Sequence, residues 1–353
     1  MKEKNMGIEW LRILSMYMVV VLHTLGQGGI LSSFQKGTME YSLTWFLETA
    51  SFGAVDCFAL ISGYVGWNSH FSYRKFFRLW LQVAFYTIGI TALFSVFMPE
   101  AVTQDQWFGA CFPIIKKQYW YMTAYAGMFV LIPVLNQAAA QMKAKQLSCV
   151  CLAIFAVFSL LPNLFKVSIF GLGGGYSTIW LCLLYLLGAF WCKYKSVCLG
   201  HLPAFFSRHL IVLPAAVYLI CTVLSLILKL VGFSQFVGYT SPTILIGSEA
   251  LLVLFSQLSP GRISTKAARF LAPSALSVYL IHVHPLVWDN LMLLFAIGHF
   301  PSGPLLSVWV LAVALGIYLA CSLIDLPRRG LFRLLFSPKM PQLHFTARKR
   351  MRT

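Results

Sequence analysis

The stretch that decides the fold is residues 7–31, GIEWLRILSMYMVVVLHTLGQGGIL. It is long and apolar enough to form a helix across a membrane, which takes about 20 residues. Yet the run contains Arg12 and His23. An ionisable side chain inside a membrane is costly unless it faces a cavity or a partner, so both residues are candidate functional residues.

The composition extends this membrane assignment to the whole chain. Of its 353 residues, 59% are hydrophobic and only 10% are charged, whereas a soluble domain carries about 25% charged residues. The apolar residues form long runs, and a β-barrel would instead show alternating segments of about ten residues. We therefore predict an all-α, polytopic helical membrane protein.

Ten apolar runs approach the length of a membrane span. In chain order the predicted spans are 8–30, 43–67, 77–99, 119–138, 147–164, 177–193, 209–231, 241–259, 271–299 and 304–325. An even number of spans puts the N-terminus and the C-terminus on the same side. We predict a membrane domain over residues 1–325 and a basic cytoplasmic tail over residues 326–353.

The basic residues give an independent test of this topology. If the N-terminus is cytoplasmic, all but five of the 27 lysines and arginines lie at the cytoplasmic side, the exceptions being Lys36, Lys116, Lys117, Lys166 and Lys229. Lys and Arg concentrate on the cytoplasmic side of membrane proteins, so both termini are predicted to be cytoplasmic. Contact with anionic membrane lipids accounts for most of the net charge of +17, and nucleic acid is not a predicted partner.

Arg12 and His23 are predicted to share one face of the first helix. They are eleven residues apart, which at 100° per residue is about 20° beyond three full turns, with about 16 Å between them along the axis. Arg12 lies near the inner boundary, where its side chain can also extend to the headgroups. His23 lies deeper, and a neutral histidine bonded to a neighbouring helix is the alternative to a functional role.

The second span brings further polar residues into the membrane. It contains FGAVDCFALISGYVGW, residues 52–67. Asp56 supplies a carboxylate, and Ser62 and Tyr64 supply hydroxyl groups towards the cytoplasmic end. A purely structural alternative holds for Ser62 and Gly63, because small residues let membrane helices approach closely.

Two further groups of residues have both an ordinary and a functional interpretation. The segment after the second span holds Arg74, Lys75 and Arg78, which can mark the inner edge of the membrane or bind the phosphates of an anionic ligand. Trp120 opens the fourth span. It either anchors the helix at the membrane–water interface or contributes to substrate binding.

Other motifs argue against cofactor chemistry. The glycine-rich GLGGGYSTIW, residues 171–180, does not connect a strand to a phosphate-binding helix, so it is not a nucleotide fingerprint. His282 and His284 are two residues apart and do not share a helix face, which disfavours a metal pair. Pro285 is predicted to kink this span. We predict neither a metal nor a bound cofactor.

Taken in order, these motifs resemble the membrane acyltransferase 3 family, whose members have about ten spans. The family carries Arg and His with ten residues between them in its first span, as Arg12 and His23 have here. It also has an FFxLSGY-like end to the second span, matched by residues 58–64, with Asp56 before it and basic residues after it. One departure is Gln118, where the family often has histidine.

The resemblance implies an activity and roles for these residues. The donor would be acyl-CoA, most often acetyl-CoA, and the acceptor a carbohydrate or lipid-linked glycan of the cell envelope, at a bacterial inner membrane. The implied catalytic residues are His23 and Arg12, and the implied substrate-binding residues are Arg74, Lys75, Arg78, Asp56, Ser62, Tyr64 and Trp120. His23 would act as general base or accept the acyl group itself. The alternative function is a transporter or flippase of a small molecule.

Overall fold

The computed structural model describes residues 4–69, 71–200, 210–290 and 300–336. Within these ranges the regular structure is entirely helical. The helices are α1 Met6–Gln27, α2 Ile30–Ser33, α3 Met39–Ser51, α4 Ala54–Gly66, α5 Tyr73–Phe97, α6 Gln104–Cys111, α7 Trp120–Gln141, α8 Ala144–Ala153, α9 Leu161–Phe165, α10 Thr178–Gly200, α11 Val212–Leu230, α12 Pro242–Gln257, α13 Arg262–Leu271, α14 Ala275–His282, α15 Pro285–Asn290, α16 Leu305–Ile324 and α17 Leu326–Leu335. The predicted all-α class is confirmed.

Eight helical stretches in the described residues are long and apolar enough to cross a membrane. They correspond to the first seven predicted spans and the last one. The predicted span 241–259 is the shorter apolar helix α12. The predicted span 271–299 is divided between α14 and α15, and its residues 291–299 lie outside the described part of the chain. The protein is therefore a multi-pass helical membrane protein.

Helix α1 lies at the centre of the bundle. It contacts α3, α4, α12, α14 and α16, and its side chains are buried on several faces, including those of Leu11, Val20 and Leu25. A helix that is apolar all round fits such a central position. By contrast, α5, α7, α11 and α16 expose large apolar side chains such as Val96, Val130 and Ile220, which suits contact with lipid.

Two glycines allow α4 and α10 to pack closely. A Cβ atom on Gly63 would lie 1.9 Å from the carbonyl oxygen of Tyr185, and one on Gly188 would lie 2.0 Å from that of Leu60. No larger side chain fits at either position without moving a backbone. Small residues serve this purpose at membrane helix contacts, so Gly63 has the packing role that the sequence suggested.

The helix pair α14–α15 is broken within the bundle. Helix α14 ends at His282, and α15 begins at Pro285 after Val283 and His284. Proline lacks an amide hydrogen and clashes with the preceding turn, which explains the break and confirms the predicted kink. The imidazole of His284 satisfies the open backbone there: its Nδ1 accepts from the amide of Leu286 at 3.3 Å, and its Nε2 lies 3.3 Å from the carbonyl of Thr87.

The segment after α16 begins as an ordered helix. In α17, Phe332 and Arg328 are buried, and Arg328 pairs with Asp325 at the end of α16. The first turns of the predicted basic tail are therefore packed on the bundle. Residues 337–353 lie outside the described part of the chain.

Candidate active site

A cavity of about 490 Å³ lies among α1, α3, α4, α7 and α14. Arg12 and His23 both line it, as expected for residues on one face of α1. Arg12 lies towards one end of the cavity and His23 towards the other, about 16 Å apart along the helix axis. We call these the Arg12 end and the His23 end. Val65 at the Arg12 end and Tyr176 at the His23 end are 53% and 54% exposed, so the cavity approaches the protein surface at both ends.

His23 forms a hydrogen-bonded pair with His282, which we call the histidine pair. The Nδ1 atom of His23 lies 2.8 Å from the Nε2 atom of His282. The Nδ1 atom of His282 lies 2.5 Å from the carbonyl oxygen of Val278, one turn earlier in α14. A histidine from the first helix and one from the broken helix are thereby joined inside the membrane.

These two hydrogen bonds determine where the protons lie when both rings are neutral. A carbonyl oxygen only accepts, so His282 must carry its hydrogen on Nδ1 and present an unprotonated Nε2. His23 must then donate from Nδ1, which leaves its own Nε2 unprotonated. The chain of bonds from Val278 to His23 therefore fixes the tautomer that can accept a proton from a substrate in the cavity.

The helix break supplies a second contact to His23. Trp288 of α15 meets the His23 ring edge to face, with 4.9 Å between the ring centroids. His282 lies before the break and Trp288 after it, so both sides of the break orient one imidazole. Non-helical backbone at membrane depth is tolerated where protein or a cavity surrounds it.

Arg12 is held at its end of the cavity by its own helix. Its guanidinium donates to Glu9 at 2.6 Å, an ion pair three residues apart. The Arg12 side chain keeps 29% of its surface exposed, so it is not enclosed by this partner. Its remaining donors can bind a carboxylate or phosphate oxygen at the mouth of the cavity.

Aromatic rings form a continuous surface at the His23 end. We call it the aromatic wall, and it consists of Phe52, Trp120, Tyr176 and Tyr239. Trp120 lies 4.4 Å from Tyr176 and 5.8 Å from Tyr239 between ring centroids, and Phe52 lies 4.9 Å from Tyr239. The carboxyl group of Glu48 in α3 lines the cavity beside these rings.

Among the predicted substrate-binding residues, Ser62 and Trp120 line the cavity. Asp56 is fully buried outside its lining and accepts a hydrogen bond from Trp180 at 3.0 Å. Tyr64, half-buried, is also absent from the lining. Because Ser62 and Tyr64 are two residues apart in α4, they point about 200° apart, and only one of them can face the cavity.

The three predicted phosphate-binding residues lie apart from the cavity. Arg74, Lys75 and Arg78 are exposed in the first turns of α5 and do not line it. Arg78 lies over the ring of Phe336, 5.4 Å from the centroid. Ser69, which precedes α5, does line the cavity at its Arg12 end. The three basic residues therefore come shortly after this end of the cavity in the sequence.

Sequence reasoning missed His282 and Glu48. His282 was considered only as a partner of its near neighbour His284, whereas its partner is His23, 259 residues away. No local spacing shows that pairing. A signal did exist for Glu48, which is a carboxylate inside a span that reads as apolar, as Asp56 is.

The sequence that builds this site matches a known protein family. Residues 5–325 match the acyltransferase 3 family, described as an acyltransferase domain. The chain belongs to the acyltransferase 3 family. The matched range contains the cavity and both members of the histidine pair. Searches of curated proteins and of solved structures found no match.

Family and fold together define the molecule as a multi-pass membrane acyltransferase. The sequence resemblance to this family is confirmed. An acyltransferase needs a base or nucleophile next to the site where donor and acceptor meet. In this acyltransferase, His23 lines the cavity and carries an unprotonated Nε2.

Proposed function

We propose that this acyltransferase moves an acyl group, in the simplest case acetyl, from cytosolic acyl-CoA to a hydroxyl group of a carbohydrate or lipid-linked glycan. The observation that carries the proposal is the cavity with Arg12 towards one end and His23 towards the other. A thioester arriving from the Arg12 end and a hydroxyl arriving from the His23 end would meet at this imidazole. Acyl-CoA acts as a co-substrate, and the proposal requires no metal or bound cofactor.

The proposal includes a topology of ten spans with both termini in the cytoplasm of a bacterial cell. Helix α12 and the broken pair α14–α15 would supply the two passes beyond the eight long helices. The distribution of Lys and Arg supports this orientation. It puts Arg12 on the side where acyl-CoA is made and the aromatic wall on the side of the envelope.

Basic residues at the inner side would bind the donor. The exposed Arg74, Lys75 and Arg78 would contact the phosphates of the nucleotide part, which remains outside the cavity. Arg12 would contact a polar group of the pantetheine arm or a phosphate at the cavity mouth. The arm itself is long and narrow, which suits a cavity whose lining is largely apolar.

The chemical step follows from the tautomer of His23. Its Nε2 takes the proton of the acceptor hydroxyl while the hydroxyl oxygen forms a bond to the acyl carbon. The bond between carbon and sulfur then breaks, and its electron pair leaves with the sulfur. The imidazolium returns the proton to this thiolate, so that CoA leaves as the thiol. His282 stays hydrogen-bonded to Val278 and stabilises the cationic ring in between.

Two tyrosines would stabilise the negative charge on the thioester oxygen. The hydroxyl groups of Tyr121 and Tyr279 are buried, line the cavity and have no hydrogen-bond partner among the described residues. The ring of Tyr279 lies 6.4 Å from those of Tyr121 and of His282. Unused donors next to a base are suited to an oxygen that becomes charged only during the reaction.

The proposed function is tested by following a labelled acyl group. Membranes that contain the wild-type protein are incubated with radiolabelled acetyl-CoA and oligosaccharides from the host envelope. We expect label to move to the oligosaccharides with release of one CoA thiol per acyl group. Movement of a glycan or acyl group across the membrane without consumption of acetyl-CoA would instead support the transporter alternative.

The same assay separates the two roles open to His23. If His23 is a general base, protein incubated with acetyl-CoA alone stays unlabelled after denaturation. Label retained on the protein in that experiment, and lost when the oligosaccharides are added, would show an acyl-imidazole intermediate.

A further inference from the structure

Glu48 of α3 has a buried carboxyl group. The residue is only 8% exposed, and its Oε2 atom has no hydrogen-bond partner among the described residues. Nor does it form an ion pair there. Lys229 is close enough to interact electrostatically with Glu48. Its ammonium group instead donates to the hydroxyl of Ser234 at 3.1 Å and lies 3.8 Å from the ring centroid of Trp45. A buried carboxyl group left in this way is costly to the fold.

Glu48 lies in the cavity lining together with the aromatic wall. Trp120 and Tyr239 stack on one another with their rings 30° from parallel, and the exposed ring of Tyr176 leaves a face open to a flat ligand. The faces of aromatic rings are negatively polarised and attract weakly positive C–H groups. Carboxyl oxygens attract O–H groups. A ligand that presents both kinds of group on adjacent edges would satisfy both surfaces.

The glycine-rich segment before α10 shapes one side of this wall. Gly171, Gly173, Gly174 and Gly175 all have positive φ angles, with φ of 100° at Gly175. A Cβ atom on Gly175 would lie 2.5 Å from that of Tyr239. Glycine is needed both for the backbone conformation and for the close approach. The segment thereby brings Tyr176 against Tyr239, with 5.0 Å between ring centroids.

We propose that Glu48 and the aromatic wall form the acceptor site, which binds a pyranose ring of the acceptor. One face of the sugar stacks on Tyr176, a C–H edge of the sugar contacts Trp120, and a hydroxyl group beside the reacting one donates to Glu48. The inference rests on the proposed function and adds the residues that select the acceptor. It assigns Glu48 to binding, and the proton transfer to His23.

The first test replaces the carboxyl group. The protein in nanodiscs is assayed with labelled acetyl-CoA and envelope oligosaccharides, titrated by total hexose. In Glu48→Gln the side chain keeps one acceptor oxygen and gains an NH₂ donor, so we expect the hexose concentration for half-maximal transfer to rise about tenfold, the loss typical of one hydrogen bond. The half-saturating concentration of acetyl-CoA should not change.

Glu249→Gln is the matched control. Glu249 is another carboxylate within the bundle, but it accepts a hydrogen bond from Trp191 at 3.2 Å and does not line the cavity. Its replacement should leave both half-saturating concentrations unchanged. An unchanged hexose concentration in Glu48→Gln would overturn the acceptor site.

A second pair of variants tests the wall without touching the core. Tyr176 is 54% exposed, so its replacement should not prevent folding. Tyr176→Ala removes the ring and should raise the half-saturating hexose concentration about tenfold, whereas Tyr176→Phe keeps the ring and should behave as wild type. Equal behaviour of the two variants would exclude stacking.

The outcomes separate this inference from the proposed function. If the wild type moves no label from acetyl-CoA to oligosaccharides, the proposed function fails and the acceptor site fails with it. If the wild type transfers label and both Glu48→Gln and Tyr176→Ala match it, the function stands and the acceptor site is wrong.

Discussion

Two polar clusters within the helical bundle differ in whether every hydrogen-bonding atom has a partner inside the protein. In the first, Asp325 accepts hydrogen bonds from Tyr86, Ser274 and Ser277 and from two nitrogens of Arg328. Both carboxylate oxygens are fully engaged, and Asp325 does not line the cavity. In the second, His23 lines the cavity and only its Nδ1 atom is hydrogen-bonded among the described residues, so its Nε2 atom has no partner there.

The difference gives a criterion for the role of polar residues inside a membrane. A charge with all its hydrogen bonds made within the protein is held in one arrangement and is suited to structure. A group with an unused donor or acceptor in a cavity is suited to a substrate. By this criterion the Asp325 cluster joins α5, α14 and α16, whereas we assign His23, Glu48, Tyr121 and Tyr279 to the proposed site.

The largest effect on transfer, apart from loss of His23 itself, is expected from His282→Ala. Without its partner, His23 loses the contact that selects its tautomer, and the turnover number should fall about a thousandfold. The half-saturating concentration of acetyl-CoA should stay within about twofold, because the phosphate contacts are untouched. Steady-state kinetics on purified protein measure both values. Wild-type turnover would show that the histidine pair is structural.

The opposite pattern is expected from Asp325→Asn. Its replacement leaves the buried guanidinium of Arg328 without a counter-charge, which should lower the free energy of unfolding by about 3 kcal/mol. The protein that remains folded should keep the wild-type turnover number. Denaturation in detergent, followed by circular dichroism, checks the first value. The double variant Asp325→Asn with Arg328→Met should recover part of the stability, because it removes the unpaired charge.

A smaller effect on turnover is expected from Tyr279→Phe. If the hydroxyl group stabilises the thioester oxygen in the transition state, its loss should reduce the turnover number about a hundredfold. The stability should not fall, since this hydroxyl has no hydrogen-bond partner among the described residues. Tyr318→Phe is the control, because the Tyr318 hydroxyl is equally unpartnered there but does not line the cavity. Equal turnover in both variants would remove Tyr279 from the mechanism.

The smallest effect is expected from Arg74→Ala combined with Arg78→Ala. Both side chains are exposed, so the half-saturating concentration of acetyl-CoA should rise only about fivefold, and less at high salt. The control is Arg262→Ala with Lys266→Ala, which removes the same charge from exposed positions on α13. If the two double variants behave alike, the basic residues of α5 contribute to topology alone.

The membrane class and most helices could be predicted from local sequence. The exceptions are helices that are too short or too broken to give a length signal. Composition and apolar run length are local properties, and they located the eight long helices closely. Helix α12 has 16 residues and α14 ends at a break, so neither has the uninterrupted length of a typical span. Whether α12 and the α14–α15 pair cross the membrane depends on their orientation relative to it, and helix length does not give that orientation.

The candidate site was predictable only where the contact is local. Helical spacing correctly put Arg12 and His23 on one face, and both line the cavity. The same spacing, applied to α4, separates Ser62 from Tyr64, yet the motif suggested a shared role for them. His282 could not be found in this way, because its contact with His23 joins helices from opposite ends of the chain.

The most direct test of the account is the transfer of label from acetyl-CoA to envelope oligosaccharides by His23→Ala and Thr24→Val. Thr24 is the next residue in α1, is buried, and its hydroxyl group donates to the carbonyl of Val20 within the same helix at 2.9 Å. At equal amounts of folded protein, we predict that His23→Ala transfers no label above background and that Thr24→Val transfers it at the wild-type rate. Transfer by His23→Ala at the rate of Thr24→Val would contradict the central role of His23.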